Sequence, residues 1–229
     1  MLDFNDAKDS YRAAIDNSVA FVGADHEFFI TEKGKHILRL VGQNFPAGKR
    51  VDILDVGCGH GFVHPTLIAA GHAVTGVEIA EQVLNLARDA NPGARYLPYD
   101  GAVLPFADAS FDVVTAMCVV HHVPVSQWKR FAEELHRVLK PGGVVVIFEH
   151  NPLNPVVRYL FKFGFDGMDK GATMIGRRHL ESLLRAAGCS APRSDYIFFT
   201  PFASRFFRWL DRALAWLPLG AQYMTLAHR

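Results

Sequence analysis

Residues 51–61 read Val-Asp-Ile-Leu-Asp-Val-Gly-Cys-Gly-His-Gly, and no other stretch limits the possible folds as sharply. A mostly apolar run closed by an acid and three alternating glycines is the pattern of a strand buried on both faces, as in helix-covered parallel sheets. Glycines past its end permit a sharp turn and bring bare backbone close to a ligand. Phe62 to Ala70 has helical spacing, and a helix start offers unpaired N–H groups and partial positive charge to the same place. Strand, turn and helix together describe a nucleotide-type site at the first strand of an open α/β sheet.

The chain around this stretch alternates accordingly. Strands are expected at 51–56, 72–78, 94–99, 111–119 and 144–148, with helices ending at Gly71, at Asn91-Pro92-Gly93 and at Lys140-Pro141-Gly142-Gly143. Ser126 is the expected N-cap of the helix carrying Trp128, Phe131, Leu135, Val138 and Leu139. Such alternation argues for a parallel sheet with right-handed crossovers. Residues 4–45 read as two helices parted near Gly23, a layer outside the sheet. Its Tyr11, Phe28 and Phe29 either fold over a cofactor mouth or pack against the sheet. After 149 the pattern loosens: 150–176 is irregular or partly helical, rich in Phe161, Phe163, Phe165, Met168 and Met174. A helix at 177–187 and strands at 195–200 and 221–227 follow. Between those strands, 202–217 is amphipathic, with Phe202, Phe206, Trp209, Leu210, Ala213, Leu214 and Leu217 on one side and Arg205, Arg208, Asp211 and Arg212 away from it. Packing of that stretch beside the sheet, a dimer contact or cap, and contact with a membrane-borne acceptor are all open.

Composition removes several classes. The 229 residues carry a net charge of +1 without a dense Lys/Arg run, so there is no electrostatic footprint for nucleic acid. Cys58, Cys118 and Cys189 are scattered and form no C-x-x-C pair, which disfavours a disulfide framework or zinc site and predicts a reducing, cytoplasmic location. The acidic start at Met1 lacks a signal-peptide pattern, and no apolar run reaches the ~18 residues of a membrane span. His60 and His64, four apart, have no carboxylate cluster around them, so no metal is expected.

The glycine spacing narrows the cofactor. The dinucleotide fingerprint is G-x-G-x-x-G; here Phe62 stands where its third glycine belongs. Three landmarks occur in order: Asp55 to Gly61 as D-x-G-x-G-x-G, Leu104-Pro105-Phe106 with Phe111-Asp112, and Leu139-Lys140-Pro141-Gly142-Gly143. This set resembles the class I S-adenosylmethionine-dependent methyltransferases of the small-molecule type, over about residues 50–150. The resemblance implies a Rossmann-like, open and mostly parallel seven-stranded sheet with helices on both faces. Its last strand is antiparallel, and inserted segments follow strands five and six. It implies one domain: a helical cap at 1–48, a cofactor-binding core at 49–150, and a lid, last helix, amphipathic insert and final strands at 151–229.

The same resemblance assigns roles toward S-adenosylmethionine. Asp55, Gly57, Cys58, Gly59 and Gly61 would hold the methionine end, Glu78 the ribose hydroxyls, Ile79 the adenine face, and Asp100 with Gly101 the adenine amino group. Met117 and Cys118 would border the sulfonium. Asp112 is read as structural, because it begins strand four at the end away from the site. Methyl transfer from a sulfonium needs mainly positioning and removal of water. A base is required only if the acceptor must lose a proton, and His122, His121 and His150 are the candidates, each with a pocket-shaping role as its alternative. The expected partner is a small organic acceptor; whether it is apolar or lipid-linked, peripheral membrane contact and oligomeric state are left open. The competing functions are a nicotinamide-dependent oxidoreductase on the same type of sheet and a catalytically silent S-adenosylmethionine-binding protein.

Overall fold

The computed structural model describes residues 26–163, 172–200, 202 and 204–229. The first expected helix, Tyr11, Phe165 and Met168 lie outside them. Among the described residues the order is α1 (His26–Asn44), β1 (Asp52–Val56), α2 (His64–Ala69), β2 (Ala73–Glu78), α3 (Glu81–Ala90), β3 (Arg95–Pro98) and β4 (Phe111–Met117). Then come α4 (Trp128–Val138), β5 (Leu139–His150), α5 (Pro155–Phe163), α6 (Arg177–Ala186), β6 (Ser190–Ile197), α7 (Arg205–Ala213) and β7 (Gln222–His228).

The strands form one sheet in the order β3-β2-β1-β4-β5-β7-β6. β1 to β5 pair in parallel, and β7 runs antiparallel between β5 and β6. This is the seven-stranded, mostly parallel sheet expected from the sequence. The nicotinamide-type sheet has the order 3-2-1-4-5-6 without an inserted antiparallel strand, so the topology separates the two cofactor classes as the glycine spacing does.

Side-chain alternation along the buried strands divides the core between two faces. Leu54, Val56, Val114, Ala116, Val145 and Ile147 pack against Trp128, Phe131 and Leu135 of α4 and Leu180 and Leu184 of α6. Ile53, Val113, Val144, Val146 and Phe148 pack on the other face against Ile37, Leu40 and Val41 of α1 and Leu67 of α2. Gly34 lets α1 approach α2: a Cβ there would lie 3.0 Å from Thr66 Cγ2. Phe28 and Phe29 stack edge-to-face on Phe198, with ring centres 6.2 and 5.0 Å away, so they pack against the sheet.

Several boundaries differ from the sequence expectation, and four have a local reason. The Leu139–Gly143 stretch follows the end of α4 as expected, but it also opens β5. Phe111 pairs with Leu139 but Val113 with Val144, so extra residues bulge out of β5 between those pairs. A Cβ on Gly143 would lie 2.9 Å from Asp112 O, which only glycine avoids. Helix α4 begins at Trp128, not after a Ser126 cap; a 3-10 turn spans Val125–Gln127. The Trp128 indole fixes that corner by donating to Val120 O and Val123 O at 3.0 and 2.9 Å. β4 stops at Met117 because Cys118 adopts a left-handed conformation (φ 59°). β6 likewise ends at Ile197, before Phe198 (φ 61°).

Helix α7 is oriented contrary to its apparent amphipathicity. Phe206 and Trp209 are 63% and 56% exposed, whereas Asp211 is buried. Arg208 ion-pairs with Asp211 at 2.8 Å, donates to Thr200 O at 2.7 Å and covers the Phe28 ring at 4.9 Å. A groove of about 750 Å³ between α1, β6 and α7 is lined by His36, Arg39, Arg208 and Arg212. Burial, and then the charges of Arg39, Arg208 and Arg212, push the His36 pKa down to about 4. Arg208 and Asp211 of α7 face the protein because they have partners there, and Phe206 and Trp209 are left outward beside the exposed Arg205 and Arg212.

Asp112 stands at the start of β4 and ties three elements together. It accepts from Lys49 Nζ at 2.8 Å, Lys140 Nζ at 3.0 Å and Asp52 N at 2.9 Å. Burial pushes its pKa up, but these three bonds prevail and hold it at about 2. A carboxylate depressed in the folded state contributes stability above its unfolded pKa that is lost as pH falls through the folded value. Asp112→Asn should therefore lower unfolding stability by about 2 kcal/mol near pH 7. Urea melts should show the difference from wild type shrinking as pH falls from about 4 toward 2; a constant difference would mean that the charge is not what Asp112 contributes.

Candidate active site

The carboxyl ends of β1, β2 and β4 meet around the glycine turn. Gly57, Gly59 and Gly61 all take positive φ (67°, 52° and 65°), the region that penalises any side chain. Two of them are also pressed from behind. A Cβ on Gly57 would lie 2.7 Å from Val119 Cγ2, and one on Gly61 would lie 2.5 Å from the Tyr96 hydroxyl. Gly59 has nothing within 4 Å of its Cβ position, so the middle of the turn shows bare backbone to open space. The N–H groups of Gly57 and Cys58 both donate to Val77 O, at 2.8 and 3.0 Å, which fastens the turn to β2.

Asp55 lies beneath the turn with no exposed surface. It accepts from Thr115 Oγ1 at 2.9 Å and lies 3.1 Å from His64 Nε2. His64 Nδ1 in turn is 2.6 Å from the Tyr96 hydroxyl. Four buried polar side chains from β1, α2, β3 and β4 thus form one chain under the loop. His64 was legible in sequence only as half of a weak metal pair; its partners are 9 and 32 positions away, and no spacing rule joins them.

At the end of β2, Glu78 Oε2 accepts from Gly59 N at 3.0 Å, and Oε1 accepts from Ile79 N and Ala80 N at 2.7 and 3.1 Å. The carboxylate is therefore locked beside the turn, and each oxygen keeps further acceptor capacity. Ile79 is 57% exposed, an apolar platform beside Gly101, where an added Cβ would lie 3.8 Å from Ile79 Cγ2. Asp100 accepts from Ala102 N and Val103 N through Oδ1 at 2.8 and 2.9 Å, and these bonds lower its pKa. The Cys58 side chain turns away from the open side: its Sγ would be 2.7 Å from a Cβ on Gly76. An uncrowded glycine backbone, a carboxylate held next to it and an exposed apolar side chain followed by a second acid fit a nucleoside cofactor without a clash.

The histidines separate into distinct environments. His121 is buried and its Nδ1 is 2.6 Å from Glu149 Oε2. Glu149 Oε1 accepts from Val120 N at 2.7 Å. Burial pushes the Glu149 pKa up, but His121, His150 and the Val120 N–H prevail and hold it below the ordinary glutamate value. An ionised Glu149 can only accept, so His121 carries a proton on Nδ1. His150 packs its ring 5.2 Å from that of His121 and 5.0 Å from that of Phe161. His122 is exposed. Met117 and Cys118 end β4 next to Val119, whose side chain backs Gly57. No group of His, Cys, Asp and Glu among the described residues could hold a metal ion.

The chain is similar to known proteins in sequence and in fold. Residues 54–147 match the family described as methyltransferase domain. A malonyl-[acyl-carrier protein] O-methyltransferase of Erwinia pyrifoliae is 40% identical over 99 residues, 43% of this chain and 37% of that protein. An uncharacterized methyltransferase of Mycobacterium sp. is 35% identical over 153 residues, 66% of this chain and 55% of that protein. The chain thus spans between about a third and just over half of these relatives' length. Among solved structures, a possible histamine N-methyltransferase of Thermotoga maritima superposes with a TM-score of 0.71 at 19% identity, over 98% of this chain and 97% of that one. Residues 54–147 thus carry a methyltransferase domain, and the chain as a whole has the fold of a solved S-adenosylmethionine-dependent methyltransferase.

Proposed function

We propose that the protein transfers a methyl group from S-adenosylmethionine to a small organic acceptor. The observation that carries this reading is the juxtaposition of the open Gly59 backbone with the Glu78 carboxylate bonded to its N–H. Bound there, the cofactor supplies a methyl group already activated on a sulfonium sulfur. Gly57, Gly59 and Gly61 present backbone to the methionine end, Glu78 accepts from the ribose hydroxyls, Ile79 covers the adenine face, and Asp100 and Gly101 border its amino group. Met117 and Cys118 flank the sulfur. Asp55 acts from behind: fully buried, it positions the turn through Thr115 and His64.

The His121–Glu149 pair supplies the base. Glu149 accepts from Nδ1, which orients the imidazole and stabilises it when it takes a proton from the acceptor. The outward aromatic edge, Phe206, Trp209 and Trp216, each more than half exposed, together with Arg205 and Arg212, suits peripheral contact with a lipid surface and an apolar or lipid-linked acceptor. No helix of the described residues is long and apolar enough to cross a membrane.

Three measurements test these assignments. Glu78→Gln should weaken S-adenosylhomocysteine binding about tenfold by calorimetry, the loss of one charged hydrogen-bond acceptor. Tight binding of NADH by the wild type with none of S-adenosylhomocysteine would overturn the whole reading. His121→Asn should lower kcat for labelled methyl transfer to a panel of phenols, acids and amines by about 100-fold while leaving S-adenosylhomocysteine affinity within about twofold. An unchanged kcat would place the base elsewhere, and cofactor binding without any transfer by wild type would leave a silent binder. Finally, the protein should co-sediment with phosphatidylglycerol-containing vesicles and lose that binding in Trp209→Glu. Co-sedimentation unaffected by the substitution removes membrane contact through α7.

A further inference from the structure

A second set of polar side chains converges on Cys118 from elements that the cofactor reading does not use. Lys33 of α1 is 6% exposed. Its Nζ is 3.4 Å from Cys118 Sγ and 5.9 Å from the centre of the Phe148 ring, and no carboxylate among the described residues pairs with it. Gln222 of β7 brings its Nε2 to 3.5 Å from the same sulfur. Gln222 is 9% exposed, and its Oε1 is buried without a hydrogen-bond partner. Burial pushes the Cys118 thiol pKa up, but the Lys33 ammonium and the neighbouring His150 override it and bring it down to about 7.

Each of these features is unfavourable by itself. A buried ammonium without a carboxylate is strongly destabilising even after relaxation. A buried carbonyl oxygen without a donor loses its hydration with nothing in return. An ionised Cys118 answers the first as an internal counter-anion. As an acceptor it also requires the Gln222 amide to turn its N–H toward the sulfur, so the carbonyl end is left over. A cation and an unpartnered acceptor are thereby held on either side of one sulfur, at a strand end adjoining the glycine turn.

We propose that Lys33 and Gln222 form the anchor for a polar handle on the methyl acceptor: an ionised phenol- or enol-type oxygen paired with Lys33 Nζ, and an adjacent hydroxyl or N–H donating to Gln222 Oε1. Charge balance selects this class. An entering phenol or enol as acidic as the thiol gives its proton to the Cys118 thiolate, so one anion still faces one ammonium; the O–H bond breaks as the S–H bond forms. A carboxylate brings no proton, so its binding must draw one from solvent onto Cys118, and a phosphate must draw more. An alkyl alcohol, or a phenol much less acidic than the thiol, holds its proton too tightly for the thiolate to remove it. The handle is separate from the reacting atom, whose proton belongs to His121. The inference rests on the methyltransferase reading only in naming the ligand as the acceptor.

The test uses the full chain saturated with S-adenosylhomocysteine and 4-nitrocatechol as the probe, because the visible spectrum of this compound reports ionisation of its hydroxyl. Wild type should bind it with the spectrum of the anion, and should bind 4-nitroveratrole, the dimethyl ether, at least about tenfold more weakly, which is about 1.4 kcal/mol. Lys33→Met should lose about tenfold in affinity together with the anion spectrum, and Lys33→Arg should keep both. Gln222→Leu should weaken binding but leave the bound probe ionised. Affinity for S-adenosylhomocysteine, unchanged in all three variants, reports that they are folded. The proposal is overturned if wild type does not take up the probe, if the dimethyl ether binds as well, or if Lys33→Met keeps affinity and spectrum. Uptake of the probe as described by a protein that ignores S-adenosylhomocysteine would keep the anchor and sink the methyltransferase reading instead.

Discussion

The carboxylate of Asp55 is the constraint around which the binding edge is built. It lies at the end of β1 with no exposed surface, where an unsatisfied charge would be prohibitive. Thr115 and His64 satisfy it from two different elements, and Tyr96 steadies His64 from a third. The same Tyr96 hydroxyl then occupies the space a side chain on Gly61 would need. The turn is therefore shaped from below by a polar chain that must be complete to exist at all, and a half-satisfied version of it would be worse than an apolar core. The open backbone above Gly59 is a result of that support.

What the sequence conveyed best was whatever repeats locally. The apolar run of β1, the glycine turn and the strand-end acids Glu78 and Asp100 are contiguous or regularly spaced, and the seven-stranded sheet follows from their alternation with helices. Pairing across distance was not legible. Lys33 and Cys118 are 85 positions apart and Cys118 and Gln222 are 104 apart, so nothing in the local pattern singled out Lys33 or Gln222. Glu149 was visible as a neighbour of the histidines, but only the sheet brings it under His121 rather than His122.

Two segments teach the same physics from opposite sides. The Leu139–Gly143 stretch has the composition of a turn, yet β5 begins there because Lys140 reaches Asp52 and Asp112 and the glycines clear the Asp112 carbonyl. In α7 the hydrophobic stripe left the facing of the helix open, and Arg208 and Asp211 decide it by finding partners in Thr200 and each other. A periodic pattern identifies two different faces of a helix. Which of them turns inward depends on the partners the rest of the fold has waiting.

The placement of β7 has a kinetic consequence. β6 is made before β7, but it touches the sheet only through β7. During synthesis, which proceeds from the N-terminal side, the first five strands can assemble while β6 has no ladder to join. It must wait with an unpaired edge until the later strand has been threaded between it and β5. Cys118 shares that delay, since Gln222 opens the same late strand. The nascent protein thus possesses a glycine turn well before it possesses a finished pocket.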